Sequence, residues 1–467
     1  MSFLPVLQSG AMSLTRLLTF FSRFHQANPL TPAALPRPWP QWLLLPLLVM
    51  LVAAPASTKV AGAAWLLIVL AGLWVALRLP VARPLSHAVV QASRLWLNAC
   101  LLVLVLQGIA TVYWADPWGD RHVEIRLLLG AAASYALVRR LCLLPQQKIW
   151  LTYALALACW VILGLSYRYG RGTPANAIPW AAGVSLLVCV LLPQLFRSEI
   201  TPWQRVFWGG SVLAGVAGVL LSQSRGSYGL VPWVIGLGGI IGLQHFLNRA
   251  KKNSRSAART VGKGLLGVGV AGVLLALLIL SFPRIYVEPV ARVQDGWSQI
   301  KRLNQASQPH EQVLAINTSV GARLYMWRMA VKEVGQAPLF GHGRKARIAW
   351  IHQLGETAGS DTIKSLAHLH SDPLTTLFEH GLFGLVSYLT LGVGLAWLAL
   401  RCKKRDTALR WSLAGVLWMH LSSGLTNMNF GHNYYGAMLA LSVALVWILS
   451  TDEETEGPIQ QSSGKLS

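Results

Sequence analysis

Charge is what this chain has least of. Only 12% of its 467 residues are Asp, Glu, Lys or Arg, about half the usual share of a soluble domain. That shortage excludes a soluble multidomain enzyme, and a hydrophobic content of 54% excludes a disordered chain. Cysteine is scarce too: Cys100, Cys142, Cys159, Cys189 and Cys402 all fall in apolar runs or a short basic segment. No disulfide framework is therefore expected. Alternating strands of about ten residues are missing, which excludes an outer-membrane barrel. The chain has no Walker loop, dinucleotide fingerprint, Asp-x-Asp site or Gly-x-Ser-x-Gly elbow, so nothing points to nucleotide-activated substrates. The first residues lack a short apolar core with a small-residue cleavage site, and no cleaved signal peptide is expected.

What is present is a series of apolar runs long enough to cross a bilayer as helices. Twelve are read, at 40–57, 60–77, 95–113, 124–142, 149–166, 177–195, 203–221, 227–247, 261–282, 374–400, 409–425 and 434–450. The expected fold is an all-α polytopic membrane protein with about twelve transmembrane helices. Its parts are a cytoplasmic N-terminal segment (1–39), helices one to nine (40–282), a large polar loop (283–373), helices ten to twelve (374–450) and a cytoplasmic tail (451–467).

The net charge of +23, from 40 Lys and Arg against 17 Asp and Glu, would suggest nucleic acid in a soluble chain. Here its distribution follows the positive-inside rule. With a cytoplasmic N-terminus, the inner segments hold 23 Lys and Arg and the short outer loops only six. The remaining eleven lie in 283–373, which is long enough to be exempt from the rule. Both termini are thus expected in the cytoplasm, with the long loop outside and no nucleic-acid partner. Membrane lipid is the surrounding partner, and oligomeric state is not legible.

Within the long loop, Val290, Val293, Trp297 and Ile300 share one helical face, opposite Arg292, Asp295 and Lys301, as suits a helix lying in the interface. Leu324, Trp327, Val331 and Val334 share a second, and Pro338-Leu-Phe-Gly-His-Gly343 breaks that pattern. Leu14, Leu17, Leu18 and Phe21, beside Arg16 and Arg23, predict an amphipathic helix near the N-terminus.

Three polar clusters gather on the expected outer face. The first is Leu221-Ser-Gln-Ser-Arg-Gly-Ser-Tyr228. Arg225 sits where two apolar helices meet, a costly place for a cation and a usual mark of function. Ser224 and Ser227 add donors. An interfacial arginine reaching lipid phosphate is the plainer alternative. The second is Gly321-Ala-Arg-Leu-Tyr-Met-Trp-Arg328, where Arg323 and Trp327 share a helix face and Arg328 follows. Guanidinium groups grip phosphate bidentately, although a solvated face with an interfacial tryptophan would read the same way. The third is Ala367-His-Leu-His-Ser-Asp-Pro373. A neutral imidazole at His370 can accept a proton from a sugar hydroxyl; the alternative is an interfacial helix cap. His310, His342, His352, His368 and His370 share the loop, but their spacing matches no zinc pattern. No metal or other cofactor is expected.

In this order and on this topology, the clusters resemble the O-antigen ligase and polymerase superfamily of bacterial inner-membrane proteins. The resemblance covers about residues 205–385. It rests on Ser224-Arg-Gly-Ser227, on Arg323-x3-Trp327 with Pro338-Leu-Phe-Gly-x-Gly343, and on His370-Ser371-x9-Gly381-x2-Gly384. One large outer loop and a short cytoplasmic tail make the chain most similar to the lipopolysaccharide O-antigen ligases. The polymerases typically carry two large loops, and the protein O-oligosaccharyltransferases carry a further C-terminal periplasmic region. The resemblance implies a GT-C-like glycosyltransferase that moves glycan from undecaprenyl diphosphate to lipid A–core. It implies Arg225, Arg323 and His370 as the functional residues, with His370 as general base. Ser224, Ser227, Trp327, Arg328 and His368 are the expected substrate-binding neighbours. Ser371 stands where the family commonly has Asn, and His368 lies two residues before His370.

A diphosphate is a good leaving group, so the step needs cations to meet its growing charge and a base for the acceptor hydroxyl. Arg225 and Arg323 with His370 would supply both without metal, by an inverting single displacement. A transporter or flippase is the reading from another class, since twelve spans suit one. Against it stand the missing inverted repeat and the gathering of polar groups at one face.

Overall fold

The structure, a computed structural model, describes residues 36–82, 87–172, 176–197, 199–240, 283–401 and 407–450. The expected N-terminal amphipathic helix, the ninth apolar run and the acidic tail lie outside the described residues.

The described chain is almost wholly helical, as it must be where hydrocarbon leaves backbone polar groups no outside partner. Its helices are α1 (Gln41–Ala53), α2 (Thr58–Arg78), α3 (His87–Trp114), α4 (His122–Val138), α5 (Pro145–Tyr169), α6 (Ala177–Leu191), α7 (Pro202–Leu221) and α8 (230–240). After the undescribed stretch come α9 (Arg284–Gln305), α10 (Pro309–Ile316), α11 (Ser319–Val334), α12 (Gly343–Thr357), α13 (Asp361–Lys364), α14 (Asp372–Arg401), α15 (Thr407–Gly424) and α16 (Asn433–Leu449). Among the described residues, the one sheet is a two-stranded parallel pair, Arg37–Pro38 with Leu141–Cys142.

Six of these helices are long and apolar enough to cross a membrane, so the expectation of twelve is met only in part. Several of the other apolar runs form shorter helices: α1 has 13 residues, α4 and α16 have 17, and α15 has 18. A helix of 17 residues still reaches about 26 Å, and α4 runs the full height of the bundle. Its first turn lies beside the Trp118–Arg121 turn, whereas Arg139 and Arg140, just past its end, bond to Ala82 and Leu79 at the opposite end.

Such contacts sort the connections into two sets. At one end lie 79–82, 139–148 and 195–205. At the other lie 116–121, 171–178, 222–228 and 424–433, together with all of α9–α13, which cap it. Trp114 donates to the Phe340 carbonyl at 2.7 Å, and the Asp372 amide donates to the Asn427 carbonyl at 3.0 Å.

The core lies around α6 and α16, which are buried along almost their whole length. Helices outside them turn apolar residues outward, such as Leu70 and Leu77 on α2 and Leu389 and Val393 on α14. The cap has its own small core, in which Met326, Ala330, Ile351 and Ile363 pack with Leu369 and Phe378. Leu369 and Phe378 flank the start of α14, so cap and membrane helix form one body there. The face of α9 bearing Val290, Val293 and Trp297 is exposed, with Trp297 at 62%.

The Pro338–Gly343 segment proves to be a clasp. Helix α14 breaks at Gly381 (φ 58°), and Gly341 (φ 64°) faces it. A Cβ on Gly341 would stand 2.5 Å from the Phe378 carbonyl, and one on Gly381 would strike the Leu339 carbonyl. The close approach lets the amides of Leu382 and His342 bond to Pro338 and Phe378 at 2.8 and 2.9 Å. Both glycines thus meet a steric and a dihedral demand that only glycine satisfies.

Candidate anion site

Helix α7 ends at Leu221, and the chain turns through Gln223, in the left-handed region at φ 57°, into a single 3-10 turn at Arg225–Ser227. The serines build this turn. Ser222 Oγ donates to the Val219 carbonyl at 2.6 Å, and the hydroxyls of Ser224 and Ser227 lie 3.4 Å apart, both buried. A Cβ on Gly226 would strike the Asn427 side chain; without one, the turn packs against the 424–433 connection. Arg225 then projects toward α9, where its Nη2 meets Asp295 Oδ2 at 3.3 Å.

Helix α11 starts at a Thr318 cap that accepts from the Gly321 amide at 3.1 Å. The Val320 amide, in its first turn, donates to Gln299 Oε1 of α9 at 2.9 Å. That bond fixes α11, and with it Arg323, relative to α9. Arg328, five residues on, is exposed and stands outside the cavity wall.

Arg225 and Arg323 share a cavity of about 100 Å³ whose lining includes Ser224, Asn427 and two further arginines, Arg171 and Arg292. Ser227 lies behind the wall rather than in it. Arg292 donates through Nε and Nη2 to Gln223 Oε1 at 3.3 and 3.2 Å, and Gln223 Nε2 donates to Glu288 at 2.5 Å. Desolvation, followed by repulsion from Arg225 and Arg171, lowers the pKa of Arg323 from the ordinary arginine value. Arg171, exposed at the rim, is lowered by desolvation and then by Arg292 and Arg225. The guanidinium groups therefore feel one another. Such a concentration of like charge is stable when an anion occupies it.

The histidine turn stands beside this cavity, coupled to it through Arg323, though not in its wall. Its carbonyls are held from two sides: Trp327 Nε1 donates to Leu369 at 2.6 Å, and Arg347 Nη1 donates to Ala367. Arg347 is in turn paired with Glu379 at 2.7 Å, both buried. Between these clamps His370 takes φ 53°, the left-handed region that is uncommon for a residue with a side chain. Its ring lies 4.7 Å from that of His368. Burial, then Arg323, then His368 and His432 push the His370 pKa down to about 3. His368 is pushed down to about 4, again chiefly by burial and then by Arg347. Both imidazoles are neutral at physiological pH. Asp372 is a brace: it is buried, and its Oδ1 accepts from the Phe430 amide at 3.1 Å.

The structure thus brings Arg225, Arg323 and Ser224 into one cavity and sets His370, His368 and Trp327 beside it. Sequence reading did not single out Arg171, and it placed Arg292 only on the polar side of an amphipathic helix. One signal was available for Arg171. Lysine and arginine are sparse in the short loops assigned to the outer side, so each one that persists there is a candidate for function.

Helices able to cross a bilayer point to a membrane protein, and the arginine-lined cavity under the cap at one end is its candidate anion site. Residues 210–389 match the family model described as O-antigen ligase. Over that region, 180 of the 467 residues, the chain is similar to the O-antigen ligase family. The matched region runs from α7 through the cap into α14 and includes Arg225, Arg323 and His370; Arg171 lies before it. No curated protein matches the chain.

Proposed function

We propose that this protein transfers O-antigen glycan from undecaprenyl diphosphate to lipid A–core oligosaccharide on the periplasmic face of the bacterial inner membrane, with both termini cytoplasmic. The observation that carries this reading is the shared cavity of Arg225 and Arg323 beside the clamped His370 turn. Arg225 and Arg323 bind the diphosphate and stabilise the charge that grows on it as the sugar–phosphate bond breaks. Their forked, permanently charged groups supply this without a metal ion. His370, neutral in its buried turn, accepts the proton of the acceptor hydroxyl as that oxygen attacks the anomeric carbon. The bond to the new oxygen forms as the bond to the diphosphate oxygen breaks, which inverts the anomeric centre. Trp327 and Arg347 hold the turn, and His368 packs against the base.

Reconstitution with purified lipid-linked glycan and lipid A–core tests the reading. Glycan should appear on lipid A–core without an ion gradient. Lengthening of the donor glycan with lipid A–core ignored would show a polymerase instead. A cysteine introduced at Gln308, exposed at the start of α10, should be labelled from the periplasm; labelling only from the cytoplasm would overturn the orientation.

A further inference from the structure

The histidine turn has a neighbour to which the mechanism above gives no role. His432 stands at the end of the 424–433 connection, immediately before α16, and its ring lies 6.1 Å from that of His368. The His368 ring lies in turn 4.7 Å from that of His370. After burial, His370 is opposed most by Arg323 and last by His432, whereas His368 is opposed by Arg347, then His432, then Arg323. The three rings therefore form a row that begins at Arg323 with His370 and ends at His432.

The far end of the row is fixed to the base through the backbone. The amide of Asp372, two residues past His370, donates to the Asn427 carbonyl at 3.0 Å, and Asp372 Oδ1 accepts from the Phe430 amide at 3.1 Å. The His432 amide donates to the Asn429 carbonyl at 3.0 Å. Arg126 Nη1, from the first turn of α4, donates to the Asn433 carbonyl at 2.8 Å. The side chains are not used in this way. Among the described residues the half-buried His432 ring makes no hydrogen bond, and Asn433 is exposed. Desolvation lowers the pKa of His432, so its ring is neutral at physiological pH. The three rings are not arranged to hold a metal ion together. A neutral imidazole and a carboxamide both donate and accept, as sugar hydroxyls do, whereas the arginines on the other side of His370 suit phosphate.

We propose that His432 and Asn433 bind hydroxyl groups of the acceptor sugar and so turn its attacking hydroxyl toward His370. The proposal rests on the reading of His370 as the base of glycan transfer. It adds the side from which the acceptor arrives and the residues that recognise it. Both lie beyond the residues 210–389 matched by the family model.

The test is the initial rate of transfer by the full-length protein in liposomes, with purified lipid-linked glycan and lipid A–core varied in turn. His432→Ala and Asn433→Ala should each raise the KM for lipid A–core about five- to tenfold, the weight of one hydrogen bond. The KM for lipid-linked glycan should stay within about twofold, because the contact is made to the acceptor alone. His432→Phe keeps a ring against His368 and removes its nitrogens, so it should behave as His432→Ala does. His432→Gln restores a donor and an acceptor and should recover most of the acceptor KM. A packing role reverses that order: if His432→Phe matches the wild type and His432→Gln does not, the subsite is wrong. Asn433→Ala changes an exposed side chain and covers a His432 variant that fails to fold. If both Ala variants transfer glycan with the wild-type acceptor KM, the subsite falls and the transfer reading stands. If the wild type transfers nothing to lipid A–core, the transfer reading falls and the subsite with it.

Discussion

Trp327 donates its indole N–H to the carbonyl oxygen of Leu369 at 2.6 Å, tying the helix that carries Arg323 to the turn that carries His370. On the proposed mechanism, this bond ties the phosphate grip to the base. Trp327→Phe keeps an aromatic ring and removes the bond. A hydrogen bond of this kind contributes about 1 kcal/mol, so the protein should fold with a slightly lower melting temperature. Its kcat should fall about tenfold with little change in the KM for donor, as expected when a catalytic group is displaced while the donor is still held. An unchanged kcat would show that the turn holds its shape without Trp327.

Arg225→Ala and Arg323→Ala should each cost about 100- to 1000-fold in transfer rate, the usual loss for one charge-stabilising donor. Arg→Lys should also fail substantially at either position. The measure is the initial rate of glycan transfer in liposomes, with folding checked by gel filtration. Full activity in either Ala variant removes that arginine from the site.

The pH profile of His370 is set by its surroundings. The free imidazole titrates near 6.5, whereas burial and Arg323 push that of His370 down to about 3. A base must be neutral, so kcat/KM should stay level from about pH 8 to about pH 5 and fall only below that. Bound diphosphate offsets the charge of Arg323 and raises the imidazole pKa, so the acid limb of kcat should lie at higher pH than that of kcat/KM. His370→Ala should abolish turnover and spare donor binding, and His368→Ala should keep most activity. An acid limb of kcat/KM near pH 6.5 would mean that His370 titrates as an exposed residue.

Arg347 and Glu379 form a buried pair, and Arg347 also holds the Ala367 carbonyl. Glu379→Ala leaves a buried guanidinium without its carboxylate, a change that costs about 3–5 kcal/mol. The melting temperature should drop sharply. Glu379→Gln, which keeps an acceptor, should recover much of that loss and return activity with it. Equal stability of the wild type and Glu379→Ala would show that the pair is not formed.

Gly381→Ala places a Cβ against the Leu339 carbonyl at φ 58°, in a conformation that disfavours side chains. The variant should fold poorly and lose the clasp between α14 and the Pro338–Gly343 segment. Gly236→Ala, where a Cβ meets nothing within 4 Å, is the control and should match the wild type in thermal stability. Normal stability of Gly381→Ala would show that α14 can straighten there.

The apolar runs determined where helices form, because hydrocarbon forces each membrane segment to satisfy its own backbone, and run length is a local property of the chain. Arg225 and His370 were legible for the same kind of reason: each is a polar residue at the edge of an apolar run, where only function or an interface explains it, whereas Arg323 was legible from the helix face it shares with Trp327 in the long loop. Their neighbours were a different matter. Arg171 and Arg292 stand more than a hundred residues apart, and only the packing of α9 onto the turn after α7 puts them in one cavity. The role of Ser224 and Ser227 in closing their turn, the left-handed backbone of His370 and the depressed pKa of its ring were also decided by tertiary structure. Hydrogen-bond partners, desolvation and repulsion depend on distances in space, which spacing along a chain does not carry.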